Sequence, residues 1–127
     1  MMRAFLLALP MLLVATPALA TSGFDCRTTG PDSVRLAIVI GHGVAPMVAQ
    51  VRLIAGHRSF STVGEGEVIV IAQSWLDDEG LKLDLVDAQA MNYVARLRLS
   101  FVARGADPVG DLFYGDRRFR VSCTGEQ

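Results

Sequence analysis

Histidine, cysteine and lysine are scarce in this sequence, and their scarcity disfavours several kinds of site. The 127 residues include two histidines, two cysteines and a single lysine, Lys82. A zinc site usually takes three or four His or Cys ligands, and the CxxC pair typical of redox sites is absent. His42 and His57 flank a predicted strand, which would hold them roughly 30 Å apart. We therefore predict no metal site and no cofactor.

Motifs of nucleophilic catalysis are also missing. The sequence contains no GxSxG turn, and both cysteines are expected to be oxidised. Asp77, Asp78 and Glu79 are consecutive, whereas a calcium loop places its ligands at alternate positions. We interpret this cluster as a solvated turn and predict no catalytic residue. A small periplasmic hydrolase, with a site assembled from scattered residues, is kept as an alternative.

Neither sign of charge dominates the chain. Twelve basic residues oppose 13 acidic ones, a formal net charge of −1. A near-neutral chain has no general electrostatic attraction for nucleic acid or anionic lipid, so we predict no nucleic-acid partner. Every basic residue except Lys82 is arginine, which is the better ligand for carboxylate and phosphate groups.

The longest apolar stretch lies at the start of the chain. Arg3 precedes an apolar run over residues 4–14, and Ala18-Leu19-Ala20 is a small-x-small cleavage site. The run is too short to span about 30 Å of hydrocarbon, and no later stretch reaches the 18 or so apolar residues that a spanning helix needs. We predict a signal peptide over residues 1–20 and a single periplasmic or secreted domain over residues 21–127, with no membrane insertion after cleavage.

The two cysteines, Cys26 and Cys123, lie near opposite ends of this domain. In an oxidising compartment an even number of cysteines indicates disulfide pairing. One bridge would close a loop of about 100 residues, for which the chain-entropy model gives roughly 4–5 kcal/mol. We predict a disulfide that links the first and last strands.

Alternation of apolar and polar residues is the main pattern that the sequence does contain. It is clearest over residues 92–104, where apolar positions alternate with Arg96, Arg98 and other polar residues. A period of two indicates a half-buried strand. Helical spacing over residues 87–97 is an alternative, but the alternation continues past the end of such a helix and favours the strand.

Similar short runs, separated by turn residues, recur at spacings of roughly ten residues. In the run 67–75, apolar residues occupy both of the alternating sets of positions. This pattern predicts a strand buried on both faces, either a central strand or a barrel wall whose outer face is covered. Gly115-Asp116 predicts a two-residue hairpin with Leu112 opposite Phe119. Together the runs predict an all-β fold, a small antiparallel β-sandwich or β-barrel of about seven to eight strands.

Four arginines are the candidate binding residues, because they occupy outward parities of two late strands: Arg96, Arg98, Arg118 and Arg120. If those strands are neighbours, they form a basic face, which Asp84 on the preceding strand would partly neutralise. The alternative is a solvated sheet face with cross-strand ion pairs, each worth about 0.2–1 kcal/mol.

We interpret the chain as an exported, non-catalytic binding or accessory module of the cell envelope that engages a protein or anionic partner. A structural subunit of an envelope complex is a further alternative. The layout, with export, a short domain and terminal cysteines, is similar to small periplasmic β-barrel inhibitors of lysozyme. The Ser-Gly-x-x-Tyr loop motif of the c-type inhibitor family is absent from this sequence, so no residues are assigned from it.

Overall fold

Nine strands close into a barrel in the computed structural model, which describes residues 21–102 and 105–126. The predicted all-β fold is confirmed, with nine strands rather than seven or eight. Neighbours in sequence are neighbours in the sheet, and β1 also pairs with β9. The strands are β1 (Thr21–Thr28), β2 (Val34–His42), β3 (Pro46–Ala55), β4 (Arg58–Ser61), β5 (Glu67–Leu76), β6 (Gly80–Asp87), β7 (Tyr93–Ser100), β8 (Val109–Tyr114) and β9 (Arg117–Glu126).

The pairing is antiparallel with one exception. β4 and β5 run parallel and share only two register pairs, Phe60 with Glu67 and Ser61 with Val68. Among the described residues, no helix is long and apolar enough to cross a membrane. The predicted signal peptide, residues 1–20, lies outside the described residues.

The inward side of the barrel is filled by aliphatic side chains. Leu83, Leu97 and Leu112 lie in register across β6, β7 and β8, and each is at most 1% exposed. Burying one such side chain stabilises the fold by about 1.5–3 kcal/mol. Since this interior is a packed core, charged and polar side chains that could contact a partner lie on the outer wall and at the ends.

A disulfide closes the barrel. Cys26 of β1 and Cys123 of β9 are register partners, both fully buried, and their sulfur atoms are bonded. The predicted link between the first and last strands is therefore confirmed. A buried disulfide is compatible with an oxidising compartment.

The late strands follow the predicted pattern in part. The hairpin register is confirmed, with Leu112 opposite Phe119. Residues 93–100 form β7, so the helical alternative is wrong; residues 103 and 104 of the predicted strand lie outside the described residues. A register shift opposite Leu85 and Val86 turns Tyr93 outward, and its exposure is 58%.

β5 corrects one expectation. Its apolar residues on both parities predicted burial on both faces. Ile69 is buried inside the barrel, but Val68 and Val70 are 58% and 44% exposed on the outer side. The barrel wall is a single layer, and the described residues place no second layer over β5.

Candidate functional site

The four predicted arginines lie on the outer wall but not on neighbouring strands. Arg96 and Arg98 belong to β7, Arg118 and Arg120 belong to β9, and β8 lies between these strands. The condition stated for a shared basic face, that the two strands are direct neighbours, is not met, because β8 pairs with both of them. The alternation of residues predicts which face of a strand each side chain occupies, but it does not predict which strands are neighbours in the sheet.

β8 fills the gap with an acidic and an aromatic residue. Asp111 stands in register between Arg98 and Arg120, and Phe113 stands between Arg96 and Arg118. The outer wall from β7 to β9 therefore carries both arginine pairs, with a carboxylate and a ring between them.

Asp84 of β6 anchors the first pair. Its Oδ1 lies 3.3 Å from Arg96 Nε and 2.9 Å from Arg98 Nη1, and its side chain is only 6% exposed. Arg98 Nη1 also donates to the carbonyl of Leu97 at 2.8 Å. Burial by itself would raise the pKa of Asp84, but the hydrogen bonds and charges of Arg98 and Arg96 outweigh it, and the pKa lies below its ordinary value.

Asp111 anchors the second pair. Its Oδ2 lies 2.9 Å from Arg118 Nη2, and its Oδ1 lies 3.4 Å from Arg120 Nη1. The Arg118 hydrogen bond is the main cause of a lowered Asp111 pKa. The carboxylate side chain is 23% exposed, against 66% for Arg118 and 68% for Arg120. The guanidinium groups thus form the outermost layer, and the carboxylate lies beneath them.

Closure of the barrel adds two arginines that sequence reasoning missed. Arg27 of β1 is in register with Ser122 of β9 and with Arg35 of β2. Both guanidiniums approach Asp25, at 3.8 and 3.9 Å. The predicted disulfide already implied that β1 and β9 are neighbours, so Arg27 could have been added to the site from the sequence, whereas Arg35 required the pairing of β2 with β1.

We call this continuous surface the arginine face. Six arginines and three aspartates compose it, which gives it a net charge of +3; the remaining six basic and ten acidic residues of the chain sum to −4. A near-neutral chain therefore has a basic side. The residues of the face are Arg27, Arg35, Arg96, Arg98, Arg118, Arg120, Asp25, Asp84 and Asp111.

Two exposed aromatic rings adjoin these arginines. The Arg96 guanidinium carbon lies 4.8 Å from the centre of the Tyr93 ring, and that of Arg118 lies 5.9 Å from the centre of the Phe113 ring. Tyr93 is 58% and Phe113 is 38% exposed. Tyrosine and arginine are enriched among the residues that dominate protein–protein binding energy, so the composition fits a protein interface.

The histidines and the acidic turn lie elsewhere. His42 ends β2, with its Nε2 2.6 Å from Ser22 Oγ, and His57 lies in the turn before β4. Asp77 accepts hydrogen bonds from Trp75 Nε1 and from the Glu79 amide, both at 2.8 Å. The Trp75 bond is the main cause of a lowered Asp77 pKa. The carboxylate of Asp77 thus holds the turn that follows β5.

One end of the barrel has an open cavity of about 680 Å³ whose lining includes Arg35, Tyr114, Arg117 and Phe119. Neither histidine lines it, so it does not bring an imidazole and a carboxylate together. Comparisons with protein-family models, with curated proteins and with solved structures found no match to this chain.

Proposed function

We propose that this chain is an exported, non-catalytic β-barrel module that binds an acidic protein partner in the cell envelope through the arginine face. The observation that carries the proposal is the layering of that face. The carboxylates of Asp84 and Asp111 are less exposed than the arginines around them. Each carboxylate is paired with two arginines whose guanidinium groups lie nearer to solvent.

The layering leaves donors available to a partner. A guanidinium has five N–H donors, and Arg118 and Arg120 each direct one nitrogen at Asp111. Within residues 21–102 and 105–126, no further hydrogen bond occupies the other donors of these two arginines, which can therefore meet carboxylates of a partner. Because Asp111 already holds both side chains, less rotamer entropy is lost when a partner orders them.

The extent of the face favours a protein over a small anion. From β7 to β2 there are four steps between neighbouring strands, which at about 4.8 Å each cover roughly 19 Å of a convex wall. A single small anion cannot contact guanidiniums spread over that distance. An acidic protein surface can, and Tyr93 and Phe113 give it apolar contact area as well.

Export is the second part of the proposal. It is supported by the charged, apolar and small-residue pattern of residues 1–20 and by the buried Cys26–Cys123 disulfide. Amino-terminal sequencing of the protein recovered from a periplasmic fraction tests it. The expected first residue is Thr21, and an intact Met1 would contradict signal cleavage.

The binding test removes the most exposed arginine pair. The variant Arg118→Gln/Arg120→Gln loses two charges from the arginine face, and the control Arg52→Gln/Arg58→Gln loses two exposed charges from β3 and β4. Arg98 is not used, because it anchors the buried Asp84. Each immobilised protein is incubated with periplasmic extract, and bound proteins are eluted with rising salt.

Wild type and control are expected to retain the same acidic proteins, which elute as salt screens exposed charges. The face variant is expected to lose at least about tenfold in affinity for the recovered partner. Equal retention by all three proteins would contradict the proposal. Binding to phosphatidylglycerol vesicles, in place of any protein, would assign the face to a membrane surface instead.

A further inference from the structure

The cavity at one end of the barrel lies where β1 stops short of the β8–β9 hairpin. The last register pair between β1 and β9 is Thr28 with Val121, whereas β9 begins at Arg117. In the described part of the chain, residues 117–120 therefore pair with β8 alone. Residues 31–33, in the loop between β1 and β2, line the cavity together with the hairpin turn. Two loops at the same end of the barrel thus form its rim.

Two aromatic rings supply much of the apolar lining. Tyr114 alternates with the buried Leu112, and Phe119 alternates with the buried Val121, so both rings lie on the inward side of their strands. Both are half-buried and pack against the core. The Tyr114 ring also packs edge-on against the buried Phe60 ring, with centroids 6.2 Å apart. Because packing holds the rings in place, little side-chain entropy is lost when a ligand contacts them.

Four charged side chains line the same cavity, and their charges cancel. They are Asp32, Arg35, Asp116 and Arg117. Arg117 Nη1 donates to Asp32 Oδ2 at 3.1 Å, which links the hairpin to the loop between β1 and β2. The guanidinium carbon of Arg117 lies 4.9 Å from the centre of the Phe119 ring. A planar hydrogen-bond donor is therefore positioned beside an aromatic wall.

The balance of charge in the lining favours an uncharged ligand with several hydroxyl groups. An anion would meet two carboxylates and a cation would meet two guanidiniums, so neither gains a net attraction. A guanidinium only donates hydrogen bonds, and an ionised carboxylate only accepts them. A hydroxyl group does both and can pair with either side chain. The C–H groups of a sugar ring also pack against the negative face of an aromatic ring.

We propose that this cavity binds a short, uncharged saccharide, whose ring packs against Tyr114 and Phe119 and whose hydroxyl groups pair with Asp32 and Arg117. The cavity volume of about 680 Å³ lies within the range of about 300–1,000 Å³ that is usual for small-molecule sites, which often occupy the mouths of β-barrels. The proposal does not rest on the arginine face. Among the described residues that line the cavity, only Arg35 also belongs to that face.

Amide NMR shifts of the mature, oxidised protein, measured during titration with small probes, test the site. The uncharged probes are glucose, N-acetylglucosamine, cellobiose and diacetylchitobiose, and the charged probes are benzoate, benzylamine and phenylalanine. We expect at least one saccharide to shift the amides of residues 32–35 and 114–119 in a saturable manner, with a dissociation constant in the millimolar range. Saccharides that cause no saturable shift there, or charged probes that bind at least as tightly, would overturn the proposal.

A pair of tyrosine variants places the binding in the cavity. Tyr114→Ala removes a ring from the lining, whereas the control Tyr93→Ala removes an exposed ring from the outer wall. We expect Tyr114→Ala to weaken saccharide binding at least about tenfold and Tyr93→Ala to retain it. Equal affinities in the two variants would contradict the proposed site.

A second pair of variants decides if Tyr114→Ala fails to fold. Asp32→Asn/Arg117→Gln removes an ion pair whose side chains are 68% and 61% exposed, and the net charge stays the same. The control Asp111→Asn/Arg118→Gln removes an ion pair from the arginine face. We expect the cavity variant to weaken saccharide binding at least about tenfold and the control to bind as wild type does. Wild-type affinity in the cavity variant would overturn the proposal.

Discussion

At the scale of single residues, Asp84 links the charges of the outer wall to the stability of the fold. It is 4% exposed and yet ionised, because Arg96 and Arg98 both reach its Oδ1. A buried carboxylate that loses its partner carries an uncompensated charge, which is more costly than losing an exposed pair. Arg98 is therefore a structural residue as well as a member of the arginine face.

We expect Arg98→Met to lower the free energy of unfolding by about 1–3 kcal/mol, because Asp84 then keeps only the more exposed Arg96. The control is Arg118→Met, which removes one of the two arginine partners of Asp111, a carboxylate nearer to solvent than Asp84. This change should lower the free energy of unfolding by less than about 1 kcal/mol. Urea denaturation at neutral pH measures both. Equal losses in the two variants would show that the burial of Asp84 has no energetic consequence.

The lowered pKa of Asp84 predicts how the Arg98→Met effect depends on pH. An unfolded aspartate titrates near pH 4, so the stabilisation from ionised Asp84 is complete above that pH and is lost as pH falls through the lower folded pKa. Protonated Asp84 no longer needs Arg98. The stability gap between wild type and Arg98→Met should therefore shrink as pH falls from about 6 to below 4.

Urea titrations of both proteins across that range measure the gap. Glu67, Asp77, Asp87 and Asp111 also have lowered pKa values, so both proteins should lose stability in acid. Their difference isolates Asp84. A gap that stays constant down to pH 2 would show that Arg98 stabilises the fold independently of this carboxylate.

At the scale of elements, Gly110 sets how closely β8 approaches β7. A Cβ atom at this position would overlap the backbone carbonyl of Arg98, and backbone has little freedom to move aside. Gly110→Ala should therefore cost about 1–3 kcal/mol through overpacking. Gly43→Ala is the control, since an added Cβ there meets nothing within 4 Å. Thermal denaturation compares the two, and similar melting temperatures would contradict the close approach.

The same element shows what sequence patterns can and cannot predict. The alternation of β9 and the Gly115-Asp116 turn fix the β8–β9 register locally, and that register is as predicted. Gly110 lies within β8. A glycine is typical of loops, and only the neighbouring β7 backbone shows why this strand needs one.

Bulges and strand order account for the other differences. A register shift opposite Val39 and Ile40 puts Val48 inside the barrel, against the parity expected from Val51 and Leu53. A bulge adds one residue to a strand, so every later side chain moves to the opposite face. Counting alternate positions along the sequence therefore predicts the inward side correctly only between bulges. Apolar residues at both even and odd positions of β5 likewise cannot distinguish a covered outer face from an exposed one.

At the scale of the whole molecule, closure creates the candidate site. Arg27 and Arg35 come from the first two strands, and Arg118 and Arg120 come from the last. They share one surface only because β1 pairs with β9 over six register positions and the disulfide crosses that pair. The sequence predicted the covalent link, the four late arginines and Asp84 on the preceding strand, but Asp111 became assignable only once β8 was placed between β7 and β9.

The disulfide should therefore dominate global stability. Its cysteines are 97 residues apart in sequence, and the chain-entropy model gives roughly 4–5 kcal/mol for a loop of that length. We expect reduction of the wild type to lower the free energy of unfolding by about that amount. Cys26→Ala/Cys123→Ala should lose slightly more, because both fully buried sulfur atoms leave empty space in the core. Comparing the denaturation of the oxidised, reduced and substituted proteins separates the stabilisation that comes from the disulfide bond from the stabilisation that comes from packing of the sulfur atoms. A reduced protein within about 1 kcal/mol of the oxidised one would show that hydrogen bonding between β1 and β9 closes the barrel without covalent help.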